Sequence, residues 1–140
     1  MQSKFSMKKA KKLFNVYVLG NLLFEADSLP IKILPKLKSS ILNVNFIELD
    51  PTENLPQEDH LVIIDTILGI DKITILKDIN KIESQKLCSL HDCDLGFNLK
   101  LMKKMGKIKD VTIIGVPSNH EEAKAIKELS YLVSQLTFKK

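Results

Sequence analysis

The chain has no arginine, only two cysteines and no long hydrophobic run among its 140 residues. Without arginine it lacks the planar fork that makes bidentate contacts to guanine or phosphate. Cys88 and Cys93, five positions apart, fit neither a disulfide framework nor the paired knuckles of a zinc module, so reduced thiols in a cytoplasmic setting are expected. The apolar runs at 61–64 and 111–116 stop far short of the ~20 residues that a membrane helix needs. No membrane span is expected. Asn15, Tyr17 and Asn21 break up the apolar stretch behind the basic N-terminus, and no export signal is read there.

Acid is missing from both tails, and this decides how the net charge of +4 is read. Lys4, Lys8, Lys9, Lys11, Lys12, Lys139 and Lys140 all lie in the tails, which leaves 14 lysines against 17 acids in the body, a balance of −3. The basicity belongs to the ends, no basic face is visible, and nucleic-acid binding is not expected. At 44% hydrophobic the chain can bury one good core, so a single domain spanning 1–140, with 1–12 as a basic tail, is the expectation.

Along the body the hydrophobic period alternates between that of strands and that of helices. "FNVYVLG" (14–20) is a β-branched and aromatic run closed by Gly20, suited to a strand covered on both faces. Ser28 is placed to cap a helix with Pro30 in its first turn and Ile33, Leu34, Leu37 and Ile41 at helical spacing; Pro35 either kinks that helix or delays its start. "VNFIEL" (44–49) and "HLVIID" (60–65) are further strands, the second apolar until its last residue. "KITIL" (72–76) alternates and suits an edge, as a hairpin with its neighbour across "GID". The segment 77–92 is irregular, and "DLGFNLKLMKKMG" (94–106) gives a helix with Leu95, Leu99 and Met102 on one stripe, Phe97 and Leu101 beside it, and Gly106 as its stop. "DVTIIGVP" (110–117) is another buried strand, and Ser118 with Glu121 has capping-box spacing ahead of a closing helix. Strands alternating with helices imply an α/β fold: a three-layer, doubly wound, mostly parallel sheet with helices on both faces.

Such sheets bear their sites at the carboxyl ends of the strands. Asp65 ends the third strand, Glu25 and Asp27 follow the first, and His91 lies in a loop ahead of the helix at 94–106. Asp65 has the strongest claim, because a carboxylate closing an apolar run risks burial without a partner. Asp27, beside Ser28, also suits the first turn of a helix, and Glu25 suits solvent. His60 and His120 stand at a strand start and in a first helical turn, and Cys88 and Cys93 flank His91 without a third group to activate a thiol. Two carboxylates with one imidazole favour nickel, zinc or a similar transition ion over a hard ion such as Mg²⁺.

The runs "VLGNLLFEADSLPIKILPKL" (18–37), "VIIDT" (62–66), "SLHDCDLGFNLKLMKKMG" (89–106) and "DVTIIGVP" (110–117), in that order, resemble the hydrogenase maturation endopeptidases. The shared features are a Gly-Asn after strand one, acids a few residues on, an Asp at the end of a later strand, and a Ser-x-His ahead of a leucine-rich helix. The resemblance implies a cytoplasmic peptidase that trims a C-terminal extension from the large-subunit precursor of a nickel-iron hydrogenase. It implies that Asp27, Asp65 and His91 bind the metal and carry catalysis, the nickel arriving with the precursor and another divalent ion able to replace it in vitro. The chain departs from the family at Ala26, where an acid is usual, and at Ser28 and Pro30, where glycines are usual. Two other readings stay open: a metal-dependent adaptor that binds the precursor without cutting it, and a receiver-like signalling domain phosphorylated on Asp65.

Overall fold

The computed structural model describes residues 13–23, 25–49, 55–77 and 99–138. β1 (Phe14–Val18) lies second in a five-stranded sheet, between β2 (Val44–Glu48) and β3 (His60–Ile67). β5 (Asp110–Pro117) continues the parallel array beyond β3, and β4 (Thr74–Leu76) pairs antiparallel on the outer edge of β5. Strand side chains alternate between faces. Val16, Val18, Val62 and Ile64 therefore enter one hydrophobic cluster, and Tyr17, Leu19, Leu61 and Ile63 enter the other. Both faces are covered, which is why these strands read as unbroken apolar runs.

On the first face lie α1 (Leu29–Lys32), α2 (Leu34–Ser40) and α3 (Glu122–Phe138), contributing Leu29, Ile33, Leu37, Leu129 and Val133. Helices of four and seven residues cannot stand alone, since an isolated helix needs about 12–15 residues to be marginally stable. Burial holds them, at about 1.5–3 kcal/mol of transfer free energy for each fully buried Leu or Ile. On the second face, Leu99 and Met102 of the helical stretch 99–104 pack with Ile108 and Leu55. The link from β1 to β2 crosses the first face and the link from β2 to β3 borders the second, where Leu49 and Leu55 pack. Two crossovers of the same hand that run in opposite directions require that arrangement.

The α/β class and the helices on both faces agree with the sequence expectation, and several local details differ. The hairpin across "GID" does not form: both edges of β3 are taken by β1 and β5, so β4 has only the open edge of β5 to join. The third strand does not end at Asp65 but runs on through Thr66 and Ile67, because the β-branched, buried residues that follow keep the ladder with β5. The first helix is divided at Ile33, with Pro30 and Pro35 each in the first turn of its own short helix. Ser28 does not cap α1 with its side chain; its hydroxyl donates instead to the Glu25 carbonyl at 2.8 Å. Ser118 does not cap the last helix, which begins later, at Glu122, after a turn in which the His120 N–H donates to the Pro117 carbonyl. Gly106 does stop its helix: at φ +76° it adopts the left-handed conformation, and the Lys107 and Gly106 amides donate to the Met102 and Lys103 carbonyls. Leu101 is 45% exposed rather than part of a broad buried face. Leu95 and Phe97, and the irregular segment 78–92, lie outside the described residues.

Candidate functional site

The chain leaves β1 toward β2 on one side and later places β3 on the other, so the carboxyl ends of β1 and β3 form the topological switch point of the sheet. Open α/β sheets bind ligands at such a crevice. Here it is shaped by unequal strand lengths. β1 ends at Val18, and the Leu19 amide makes a last bond to the Ile64 carbonyl at 2.8 Å, whereas β3 continues to Ile67. Asp65 is thus the first β3 residue to rise past the end of β1.

Two glycines let neighbouring groups pack closely beside that notch. On β5 the residue in register with Asp65 is Gly115, where a Cβ would overlap the Ile67 side chain. At the end of β1, a Cβ on Gly20 would stand 2.6 Å from Ile31 Cγ1 and 3.1 Å from the Asp27 carbonyl oxygen. The loop beyond Gly20 folds straight back: the Asn21 amide donates to the Asp27 carbonyl at 2.8 Å, and the Leu23 amide donates to Asn21 Oδ1 at 2.9 Å. A single 3-10 turn, Glu25–Asp27, then delivers the chain to α1. Gly20 therefore sets where Asp27 sits.

Asp27 and Asp65 are 3% and 2% exposed, whereas Glu25 faces solvent as its composition suggests. Burying two carboxylates at one rim costs several kcal/mol per charge unless a cation or hydrogen bonds compensate. One such bond is local: the Thr66 amide donates to Asp65 Oδ1 at 2.8 Å. By alternation Asp65 shares the face of Ile63, Ile67 and Leu99, and Thr66 takes the opposite face, where its buried hydroxyl finds no hydrogen-bond partner among the described residues. His91, the third residue expected at the site, lies outside the described residues, as do Cys88 and Cys93. No group of three His, Cys, Asp or Glu side chains suited to a metal ion occurs among the described residues.

The two remaining histidines have other employment. His60 Nδ1 pairs with Asp110 Oδ2 at 2.7 Å at the amino ends of β3 and β5, the edge opposite the notch. His120 Nε2 pairs with Glu128 Oε1 at 2.9 Å against α3. One polar network near the amino edge had no signal in the sequence. The Tyr17 hydroxyl donates to Glu58 Oε2, Asn15 Nδ2 donates to the same oxygen at 3.1 Å, and Asn45 Nδ2 donates to Asn15 Oδ1 at 3.2 Å. Burial and the adjoining Glu58 carboxylate push the Tyr17 hydroxyl up to about 12. Tyr17 and Asn15 looked only like polar breaks in a strand, and a tyrosine's partner 41 residues away carries no local signal.

Residues 45–136 match the family model described as hydrogenase maturation protease, a span that includes Asp65 and His91 and excludes Asp27. The fold is similar to the solved structure of the hydrogenase maturating endopeptidase HybD from E. coli, with a TM-score of 0.64 and 17% identity over 91% of this chain and 93% of that one. It is also similar to the solution structure of an endopeptidase from Escherichia coli, with a TM-score of 0.63 and 19% identity over 86% and 90% of the two chains. Among curated proteins the sequence finds no match. At these identities the solved structures speak for the fold. Together with a family model that matches about two thirds of the residues, the architecture identifies this chain as a member of the hydrogenase maturation protease family.

Proposed function

We propose that this chain is an endopeptidase that removes a C-terminal extension from the nickel-loaded large-subunit precursor of a nickel-iron hydrogenase, and that Asp27, Asp65 and His91 recognise the metal and carry the reaction. The observation that supports it most is the pair of buried carboxylates at the switch point of a chain in this family. Oxygen donors suit a divalent ion, and an imidazole added to them shifts preference toward nickel and its neighbours. A precursor-borne cation entering the notch would also compensate the burial of both acids. Nickel is cargo of the substrate in this reading. When present it supplies Lewis acidity toward a carbonyl. The chain's own contribution is to fix two acids on backbone held by close packing at Gly20 and Gly115, where Ile31 and Ile67 fill the room a side chain would need.

The helical stretch 99–104 begins eight residues after His91 in the chain. It leads through Gly106 and Ile108 to the amino end of β5, so its other end, at the buried Leu99, lies toward the rim that holds Asp65. A cytoplasmic site of action belongs to the same proposal; no helix among the described residues is long and apolar enough to cross a membrane.

The test incubates the protein with nickel-loaded and nickel-free precursor and follows precursor mass. The expected result is loss of a C-terminal peptide only with nickel, abolished by His91→Ala and by Asp65→Asn. Nickel-dependent retention of an unshortened precursor would replace the peptidase with the adaptor. Cleavage that ignores nickel, or that survives both substitutions, would remove the proposed ligand set.

A further inference from the structure

Between the edge strand β4 and α3 runs a groove of about 550 Å³, lined by Lys72 and Ile73 ahead of β4 and by Lys124, Lys127, Tyr131 and Leu132 of α3. Ile73 and Leu132 form its floor, half-buried against the core. Tyr131, at 64% exposure, stands over it. Positions 124, 127 and 131 recur at the spacing that brings helix side chains to one stripe, so two ammonium groups and a phenol ring share a face. None of the three lysines forms an ion pair among the described residues. Glu128, the acid that also lines the groove, is engaged by His120 at 2.9 Å. In a body that carries 14 lysines against 17 acids, this is a local concentration of positive charge around an apolar floor.

Its position is as informative as its composition. β4 runs antiparallel to β5, so Lys72 and Ile73 lie toward the carboxyl end of β5; Thr74 is in register with Gly115, and Gly115 with Asp65. Two strand spacings of about 4.8 Å separate the Thr74 and Asp65 backbones, about 10 Å in all. The groove opens on the α3 face of the sheet and the Asp65 side chain lies on the other, so a polypeptide that touches both passes over the carboxyl rim between them.

We infer that this groove is a docking subsite for an acidic segment of the protein substrate, its carboxylates facing Lys72, Lys124 and Lys127 and an apolar side chain seated between Tyr131 and the Ile73–Leu132 floor. The inference rests on the proteolytic reading for the substrate's identity and on the groove alone for its chemical class. Tyrosine is enriched where interfaces form, and exposed lysines set association rate and salt dependence.

The probe is a fluorescein-labelled peptide of twelve residues alternating glutamate with leucine, compared by anisotropy with the same peptide carrying lysine for glutamate and with a single-stranded oligonucleotide of equal length. Wild-type protein is expected to bind the acidic peptide at least about ten-fold more tightly than the basic one and to release it as salt rises. Lys72→Gln/Lys124→Gln/Lys127→Gln should lose about ten-fold in affinity, and Tyr131→Ala should weaken binding with the charges intact. These positions are on the surface, and unchanged circular dichroism is the control for folding. In precursor cleavage the triple variant should raise KM and leave kcat near wild type. Equal binding by the triple variant, or an oligonucleotide that binds as tightly as the acidic peptide, overturns the inference. Peptide binding that behaves as expected while wild-type protein cuts no precursor would instead sink the proteolytic reading and leave the subsite's ligand class standing.

Discussion

The two ends of the sheet both carry acids, and they treat them oppositely. At the amino edge, His60 and Asp110 pair with their side chains each 55% exposed, and Lys109 and Asp59 pair at 3.5 Å with side chains 70% and 64% exposed. Tyr17, Asn15 and Glu58 form a network there in which each donor has a protein acceptor. At the carboxyl rim, Asp27 and Asp65 are almost wholly buried, and the neighbouring positions Gly20 and Gly115 carry no side chain. The first end spends its polar groups on joining strands. The second holds two carboxylates out of water beside tightly packed backbone, which is costly unless other groups compensate their charge.

The comparison breaks most easily at Asp65. Asp65→Asn keeps the side-chain volume and removes the charge, and precursor cleavage should fall by at least about 100-fold with little change in the urea midpoint. Equal cleavage would place the chemistry elsewhere. Gly20→Ala comes next, because the added methyl meets Ile31 and the Asp27 carbonyl. It should cost about 1–3 kcal/mol in urea unfolding and also depress cleavage by moving Asp27. Adding Ile31→Ala, which removes the Cγ1 that the methyl meets, should relieve that overlap and not restore the activity. Gly115→Ala should destabilise similarly through overlap with Ile67, and Ile67→Val should relieve it.

At the amino edge the effects are smaller and confined to stability. Tyr17→Phe removes the hydroxyl bonded to Glu58 and should cost about 0.5–1.5 kcal/mol with cleavage unchanged. The sign of its pH dependence follows from the raised pKa. The neutral phenol is favoured in the fold, so its contribution is complete below the ordinary value of 10.0 and is lost as pH climbs toward about 12. Urea midpoints of wild type and Tyr17→Phe should therefore converge between those limits. His60→Ala, at an exposed pair, should shift stability by less than about 1 kcal/mol. A loss of cleavage in either variant would dissolve the distinction between the two edges.

Local chemistry was enough to find β1, β2 and β5, since alternating or unbroken β-branched runs bounded by turn residues have few other solutions. It also located Gly106 as a helix stop and Asp65 as an acid at risk of burial. It misjudged features decided by competition between neighbours. The third strand outruns Asp65 because β5 offers further ladder bonds, and "KITIL" joins β5 because β3 has no free edge. The helix after Ser28 divides at Ile33, where two prolines and a buried isoleucine settle the register together.

What the sequence determined by itself was the material of the fold and of the rim: apolar runs long enough for buried strands, with acids inside or shortly after them. These depend on residues close in the chain, whose physics is local. Only the tertiary structure decided that β1 would stop short of β3, that Ile31 and Ile67 would pack against Gly20 and Gly115 beside the two acids, and that three lysines would gather around one groove. Each of those facts joins positions tens of residues apart, and such distances are closed only when the sheet and its helices pack.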